Sequence, residues 1–197
     1  ALFGLLRTGD TLLAATGRPY DTLEGVIGIG DAGKGCGTLR EFGVNYDECP
    51  LLPDFTPDYD LIAEKAKTAT VVHIQRSRGY TQRNAFDLAT IQKVADTARK
   101  ANPNAVIFVD NCYGEFTQTA EPVAFGADIM AGSFIKNPGG GLAPVGGYIC
   151  GTQECVDRGA YRLSAPGLGQ EVGASLGVMQ SFYQGFFLAP TVVSGAE

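Results

Sequence analysis

A run of five apolar residues, AVIFV at positions 105–109, constrains the fold of this chain more than any other stretch. The run is rich in β-branched types and has no polar residue, which is typical of a strand buried on both faces of a parallel sheet. Asp110 follows it directly. An acid at the carboxyl end of such a strand lies on the edge where open α/β sheets hold their ligands. The stretch therefore predicts a sheet and the edge of that sheet at which a ligand binds.

A second strand, predicted at residues 128–134, brings an opposite charge to the same edge. Ser133 lies near its end, and Lys136 follows where the chain leaves the sheet. Pyridoxal 5′-phosphate (PLP) needs both charges, because the cofactor is attached to an amine and its pyridine nitrogen pairs with an anion. Lys136 is the predicted amine and Asp110 the predicted anion.

Two further side chains suit the same cofactor. Tyr113, three residues after the acid, would donate to the phenolic oxygen of the ring, and Ser133, three residues before the lysine, would bind the phosphate. Each residue alone has an ordinary structural explanation, since most lysines are solvated and an aspartate at a strand end is commonly a turn or cap residue. Their order and spacing together favour the cofactor site.

The rest of the chain alternates strands with helices. Further strands are predicted at 11–15, 70–75 and 145–150, and helices at 1–7, 20–29, 58–67, 87–101, 153–163 and 174–187. Either Asp87 or Asn84 starts the fourth of these helices. This alternation indicates an α/β fold with three αβα layers, in which a mainly parallel sheet is covered on both faces. In the last helix, Met179, Phe182, Tyr183 and Phe186 form an apolar stripe that is predicted to be core or subunit contact.

The glycine-rich stretch GIGDAGKGCGT resembles two phosphate-binding motifs. It has a literal G-x-G-x-x-G at Gly28, Gly30 and Gly33 and a near match to the P-loop. Both motifs need a strand before the loop and a helix after it, and the P-loop also needs Ser or Thr where Gly35 stands. Because a helix is predicted before it, we expect residues 28–37 to be a mobile surface loop that binds no nucleotide.

The strand at 70–75 is followed by RSRGYTQR, which carries polar side chains to the predicted ligand edge. These are Arg76, Ser77, Arg78 and Tyr80. Two explanations are equally good: a solvated basic loop, or contacts with a cofactor or a substrate carboxylate. Arg78 is the candidate cofactor-binding residue. His73 lies inside the apolar run and is predicted to be a satisfied, half-buried side chain rather than a catalyst.

Composition argues against several function classes. The net charge of −6 comes without a basic patch, so neither nucleic acid nor a membrane is an expected partner. No apolar run approaches the roughly 18 residues of a transmembrane helix, and the start lacks the layout of a signal peptide. Five cysteines without a CxxC pair and a single histidine predict reduced thiols in a cytoplasmic protein and no metal site.

The segments VDNCYGEF and SFIKNPGGG resemble the acid and lysine segments of fold-type-I PLP enzymes, and above all those of the methionine γ-lyase-like, or aluminium-resistance, family. Matching segments extend over nearly the whole chain: LFGLLRTGD, GRPYDTLEGVIGI, IQRSRGY and AYRLSAPGLGQEVGAS. The resemblance implies that residues 1–197 are the PLP-binding large domain of a longer protein, whose upstream phosphate-binding segment and C-terminal small domain lie outside it. It also implies a homodimer or homotetramer.

The same resemblance implies a carbon–sulfur lyase whose substrate is a small sulfur-containing amino acid. Lys136 would hold the cofactor and then remove the Cα proton, provided that burial and the cofactor lower the pKa of its amine. Asp110 would keep the pyridine nitrogen protonated, so that the ring takes up electrons. β-Elimination, γ-elimination and transamination all remain open. An inactive scaffold that keeps the fold without catalysis is the alternative of another class.

Overall fold

The computed structural model describes residues 1–169, 171 and 177–196. Its strands are β1 (Thr11–Ala14), β2 (Asn45–Glu48), β3 (Val71–Gln75), β4 (Val106–Asp110), β5 (Ile129–Ser133) and β6 (Gly147–Gly151). Its α-helices are α1 (Leu2–Leu5), α2 (Asp21–Ile27), α3 (Tyr59–Lys65), α4 (Leu88–Ala101), α5 (Gln153–Ala160) and α6 (Met179–Ala196). Short 3₁₀ turns lie at Ala66–Thr68, Pro122–Phe125 and Asn137–Gly139.

The strands form one sheet in the order β2-β1-β3-β4-β5-β6. All pairings are parallel except that of β5 with β6, which is antiparallel. Sheets of this kind must be covered on both faces, because their central strands are apolar on both sides. The sequence-based prediction of a mainly parallel α/β sheet is confirmed.

Apolar side chains pack against both faces of the sheet. On one face, Ile91 and Val94 of α4 pack with Ile62 of α3 and with Val72 and Ile107 of the sheet. The other face is covered by α1, α2 and α5, whose buried side chains include Leu5, Ile27 and Cys155. Burying one Ile or Leu side chain contributes about 1.5–3 kcal/mol, so these two layers hold the central strands in place.

Helix α4 begins after Asp87, one of the two starts that the sequence predicts. The side chain of Asp87 accepts a hydrogen bond from the backbone N–H of Thr90 at 2.8 Å and so caps the helix. Near the other end, Arg99 forms an ion pair with Asp128 at 2.9 Å, next to the start of β5. The helix is thus fixed at both ends beside the strands that lead to the predicted site.

Two strands differ from expectation. β2 was not predicted, because its sequence NYDE has no aliphatic residue; it forms at the edge of the sheet, where polar side chains remain partly exposed. The strand expected at 145–150 is present as β6 but runs antiparallel. Its connection from β5 contains only the turn Asn137–Gly139 and no crossover helix, which a parallel pairing requires.

Helix α6 packs through its aromatic side chains. Phe182 stacks on Phe134 with ring centroids 4.6 Å apart, and Phe186 meets the ring of Phe116 edge-on at 5.4 Å. Tyr183, in contrast, is 70% exposed. The predicted start of this helix at 174–176 lies outside the described residues, and its observed end at Ala196 lies beyond the predicted one. Among the described residues, no helix has the length and apolar character needed to cross a bilayer.

The glycine-rich loop follows a helix, as predicted, and closes on a carboxylate of its own chain. The backbone N–H groups of Gly35, Gly37 and Thr38 donate to the side chain of Glu41 at 2.5, 2.8 and 2.9 Å. The hydroxyl of Thr38 accepts from the backbone N–H of Glu41 at 3.2 Å, which completes a capping box. The N–H groups at the end of this loop are therefore engaged by Glu41 and not turned toward a ligand.

Removing this carboxylate should loosen the loop. In Glu41→Ala, amide-exchange protection at Gly35 and Gly37 should fall roughly 2- to 10-fold, the range expected for one lost hydrogen bond. The N–H groups of Thr38 and Gly35 hold the pKa of Glu41 below its usual range, so the carboxylate's contribution is present at neutral pH and is lost as the pH falls through that lowered pKa. Glu64→Ala, a change of an exposed residue on α3, is the control. Equal protection in both variants would show that Glu41 does not order the loop.

Candidate functional site

A cavity of about 860 Å³ opens at the carboxyl ends of β3, β4 and β5. This is the edge at which open α/β sheets bind their ligands. Loops after all three strands contribute to it, together with the start of α2. Its lining residues include Tyr20, Asp21, Arg76, Ser77, Arg78, Gly79, Tyr80, Asp110, Cys112, Tyr113 and Lys136.

The predicted acid and amine both line this cavity. Asp110 ends β4, and Lys136 follows β5, which pairs with β4 in parallel. The carboxylate of Asp110 accepts a hydrogen bond from the backbone N–H of Cys112 at 3.1 Å. The amine of Lys136 lies 4.7 Å from the centroid of the Tyr113 ring. Adjacent parallel strands therefore deliver the two opposite charges to one site.

A tight turn places Tyr113 against the lysine. The N–H of Gly114 donates to the carbonyl of Asn111 at 2.8 Å, and Tyr113 adopts a left-handed backbone with φ of 66°. That conformation is costly for a residue with a bulky side chain and persists only where the surroundings enforce it. A Cβ on Gly114 would collide with the side chain of Arg76, so only glycine fits where this arginine passes.

Of the other predicted site residues, Arg78 lies at the cavity and Ser133 does not line it. Arg78 is exposed there, beside Ser77 and Tyr80, as the position of this loop predicted. The hydroxyl of Ser133 donates to the carbonyl of Gly146 at 3.3 Å. Phosphate binding by Ser133 thus stays a prediction.

The lowered pKa expected of the Lys136 amine depends on the cofactor as well as on burial, and burial alone does not produce it. Burial does lower the pKa of this amine, but Cys112, Tyr113 and Asp110 together outweigh burial, so the pKa is raised. The thiol of Cys112 lies on the same cavity as both charged groups, and burial raises its own pKa to about 12. Sequence reasoning counted Cys112 only as a reduced thiol, because nothing in its spacing indicated a contact with the lysine.

Arg76 supports the turn from behind. It is buried, and its guanidinium donates to Asn111 at 2.8 Å, to Gln118 at 2.9 Å and to Thr117 at 3.2 Å. Burial lowers its pKa, while nearby Glu121 and Glu115 oppose the shift. Because these partners flank the segment that carries Asp110 and Tyr113, Arg76 fixes the site through its supporting network.

A buried carboxyl lies at the end of the same network. Tyr148 donates to Glu115 Oε1 at 2.8 Å and accepts from the side chain of Asn111 at 3.3 Å. Glu115 Oε2 has no hydrogen-bond partner among the described residues. Burial raises the pKa of Glu115, which favours its neutral form and explains how a carboxyl group is tolerated there.

The prediction that His73 is half-buried and hydrogen-bonded was wrong. The side chain is only 1% exposed rather than half-buried, and within the described part of the chain its Nε2 atom has no partner. It stacks on Phe108 with ring centroids 5.6 Å apart. Burial lowers the pKa of His73 to about 4, although the Asp110 carboxylate opposes the shift. The imidazole is therefore neutral at physiological pH.

The cysteines form no disulfide in the described ranges. Cys49 and Cys155 are buried, Cys112 is half-buried, and Cys36 and Cys150 are exposed. Groups of three or more His, Cys, Asp or Glu side chains that could hold a metal ion are also absent from the described residues. The groups at the cavity include the amine of Lys136, the carboxylate of Asp110, the thiol of Cys112, the phenol of Tyr113 and the guanidinium of Arg78.

Known proteins match nearly the whole of this chain. The family model described as methionine gamma-lyase matches residues 1–197. YnbB of Bacillus subtilis is 49% identical over 195 residues, which are 98% of this chain and 46% of YnbB. The crystal structure of a carbon-sulfur lyase involved in aluminium resistance from Clostridium novyi NT is 47% identical with a TM-score of 0.92, and the match covers 98% of this chain and 46% of that one. The chain thus spans about half the length of these relatives.

A more distant structure shows the same fold. A pyridoxal-5′-phosphate-dependent protein from Escherichia coli, YhfS, has a TM-score of 0.65 at 17% identity, over 98% of this chain and 46% of that one. The architecture is that of PLP-dependent enzymes of fold type I. With a family model that matches its full length, the chain belongs to the methionine gamma-lyase family.

Proposed function

We propose that this chain forms the PLP-binding large domain of a carbon–sulfur lyase, which eliminates a sulfur-containing group from a small amino acid. The observation that carries the proposal is the joint position of Asp110 and Lys136 on one cavity, at the ends of adjacent parallel strands. The relatives extend well beyond the matched region, so the proposal concerns the full-length protein. The proposal includes a cytoplasmic location, which the cysteine content favours, and a homodimer or homotetramer, which the resemblance implies.

The residues at the cavity fit PLP. A volume of about 860 Å³ lies within the roughly 300–1,000 Å³ of small-molecule sites and accommodates a cofactor with a small substrate. The half-buried amine of Lys136 suits covalent attachment, and the Asp110 carboxylate suits a protonated pyridine nitrogen. Arg78 adds an exposed cation for a phosphate or a carboxylate. The donor set therefore has the charges that the cofactor and an amino acid require.

Each of these side chains has a definite task in an elimination. PLP, when bound, supplies the electron sink for the negative charge that develops at Cα. Lys136 holds the cofactor and afterwards accepts the Cα proton on its Nζ atom. Because Cys112, Tyr113 and Asp110 raise its pKa, Lys136 carries a proton at neutral pH before the cofactor binds and must lose it to react. Asp110 keeps the proton on the pyridine nitrogen, and Tyr113 covers the lysine amine.

A direct test is the loading of the full-length protein with PLP. We expect visible absorbance that persists after dialysis, and reduction with borohydride should leave the cofactor on the tryptic peptide that contains Lys136. Addition of sulfur amino acids should release thiol, and the accompanying oxo acid distinguishes β- from γ-elimination by its carbon number. Transfer of the amino group without thiol release would favour a transaminase. A protein that stays colourless with excess PLP would identify an inactive scaffold.

A further inference from the structure

We propose that Arg83 is a positioning residue: it anchors the loop at residues 76–87, here called the wall loop, so that Arg78 receives the carboxylate of an amino-acid substrate. This inference rests on the proposed function and adds a residue to it. The wall loop follows β3 and forms one side of the cavity through Arg76, Ser77, Arg78, Gly79 and Tyr80.

The contacts of Arg83 are unusual for a buried cation. It is 4% exposed, and its guanidinium donates to the main-chain carbonyls of Gln75 at 2.9 Å, Asn84 at 2.8 Å and Arg76 at 3.4 Å, and also to that of Ser77. The ring of Phe86 lies 4.0 Å from the guanidinium carbon. In the described part of the chain, no carboxylate forms an ion pair with Arg83.

These carbonyls show what the arginine does. Gln75, Arg76 and Ser77 form the end of β3 and the start of the wall loop, whereas Arg83 lies near the end of that loop. The hydrogen bonds of the Arg83 side chain therefore hold the end of the wall loop against its start. The N–H of Phe86 donates to the carbonyl of Arg76 at 3.0 Å and closes the same gap through the backbone. An exposed segment on the cavity, here called the arch, lies between these two sets of hydrogen bonds and consists of Arg78, Gly79 and Tyr80.

The chemistry of the anchor requires arginine. A buried cation is tolerated only when its donors are satisfied, and a planar guanidinium with five N–H groups can serve several carbonyls at once. Lysine has three donors on one atom and cannot span the same set. Burial lowers the pKa of Arg83 to about 10, so the group remains cationic at neutral pH. The anchor thus also adds a positive charge beside the cavity.

The exposure of the arch favours the substrate over the cofactor as its ligand. Lys136, which would hold the cofactor, is half-buried, whereas Arg78 and Tyr80 are exposed and Tyr80 is 90% accessible. A substrate that enters from solvent meets the exposed arch after the cofactor is in place. Its carboxylate is the anion that an exposed guanidinium binds best, by paired hydrogen bonds.

The test compares full-length Arg83→Lys and Arg83→Met with Arg78→Met. Arg158→Met is the matched control, because Arg158 also donates to a main-chain carbonyl, that of Leu5, but lies away from the cavity on α5. Three quantities are measured: amide-exchange protection of the wall loop, PLP affinity from absorbance, and kcat/KM for an amino-acid substrate relative to its carboxamide. The last ratio reports recognition of the carboxylate and does not follow from stability alone.

We expect both Arg83 variants to lose protection in the wall loop and to keep PLP affinity within about threefold. Their preference for the amino acid over its carboxamide should fall about 10- to 100-fold, mainly through KM, since a charge-assisted hydrogen bond is lost. Arg78→Met should lose the preference to the same extent with a protected loop. The double variant Arg78→Met/Arg83→Lys should lose no more, because both changes act on one contact. Arg158→Met should match wild type in all three measurements.

Arg83→Lys decides the matter even if Arg83→Met does not fold. Retention of the carboxylate preference by Arg83→Lys overturns the inference while leaving the proposed function intact. A parallel fall in PLP affinity in the Arg83 and Arg78 variants also overturns it, because the wall loop then serves the cofactor. If the wild-type protein binds no PLP, both the proposed function and this inference are wrong.

Discussion

Replacing Lys136 with alanine in the full-length protein should abolish stable cofactor retention and reduce turnover by at least about 10²- to 10⁴-fold, the contribution of one positioned proton-transfer group. The change removes the covalent hold and the base together, whereas Asp110 and Arg78 remain on the cavity. Dialysis should therefore clear the visible absorbance from the variant, and borohydride should leave no cofactor on its peptides. Lys67→Ala, a change at an exposed lysine outside the cavity, should behave like wild type.

Chemical rescue makes this prediction sharper. Small primary amines added to Lys136→Ala with excess PLP should restore part of the turnover, because the vacated space lies in an open cavity that a small base can enter. The restored rate should increase with the concentration of the free base and hence with pH. Full cofactor retention and full turnover in Lys136→Ala would refute the assignment of this lysine.

The strands that form the site could be predicted because their signals are local. β3, β4 and β5 are short apolar runs, and each has a polar exit. Since parallel strands end at the same edge, the positions of Asp110 and Lys136 in the sequence were enough to bring them to one cavity. The cap of α4 followed in the same way from Asp87 and the apolar spacing behind it.

The features that could not be predicted depend on contacts between distant parts of the chain. β2 has no apolar pattern and becomes a strand only because β1 offers it an edge. Arg76 and Arg83 look like solvated residues in the sequence, yet both are buried, because main-chain carbonyls and the side chains of residues 111–118 satisfy their donors. Composition does not reveal such partners, since basic residues in a loop are normally exposed.

The electrostatic state of the site was the least predictable property. Burial of Lys136 is a reasonable expectation after a buried strand, and burial alone lowers the pKa of an amine. The opposite outcome arises from three neighbours, Cys112, Tyr113 and Asp110, which a turn with a left-handed residue collects around the amine. His73 illustrates the same limit, because its complete burial against Phe108 follows from packing of neighbouring strands.

Replacing Asp110 with asparagine should separate cofactor binding from chemistry. The carboxylate accepts from the N–H of Cys112 at 3.1 Å, and an asparagine carbonyl can accept the same hydrogen bond, so the turn that carries Tyr113 should persist. Lys136 is unchanged and still holds the cofactor. Only the charge that keeps the pyridine nitrogen protonated is removed. We therefore expect the protein to remain coloured after loading with PLP, with affinity that is at most weakened.

Turnover of Asp110→Asn should nevertheless fall steeply. A charge-assisted hydrogen bond is worth roughly 1.5–3 kcal/mol, and each 1.4 kcal/mol or so of lost transition-state stabilisation is a factor of ten in rate. The expected loss in kcat is at least about 10- to 100-fold, and larger if removal of the Cα proton fully limits the rate. The measurement is kcat for thiol release beside the visible spectrum, with Asp96→Asn on the exposed side of α4 as the matched control. If Asp110→Asn kept both normal colour and normal turnover, Asp110 would serve only to cap its turn. The electron-accepting role of the cofactor would then not depend on the charge of Asp110.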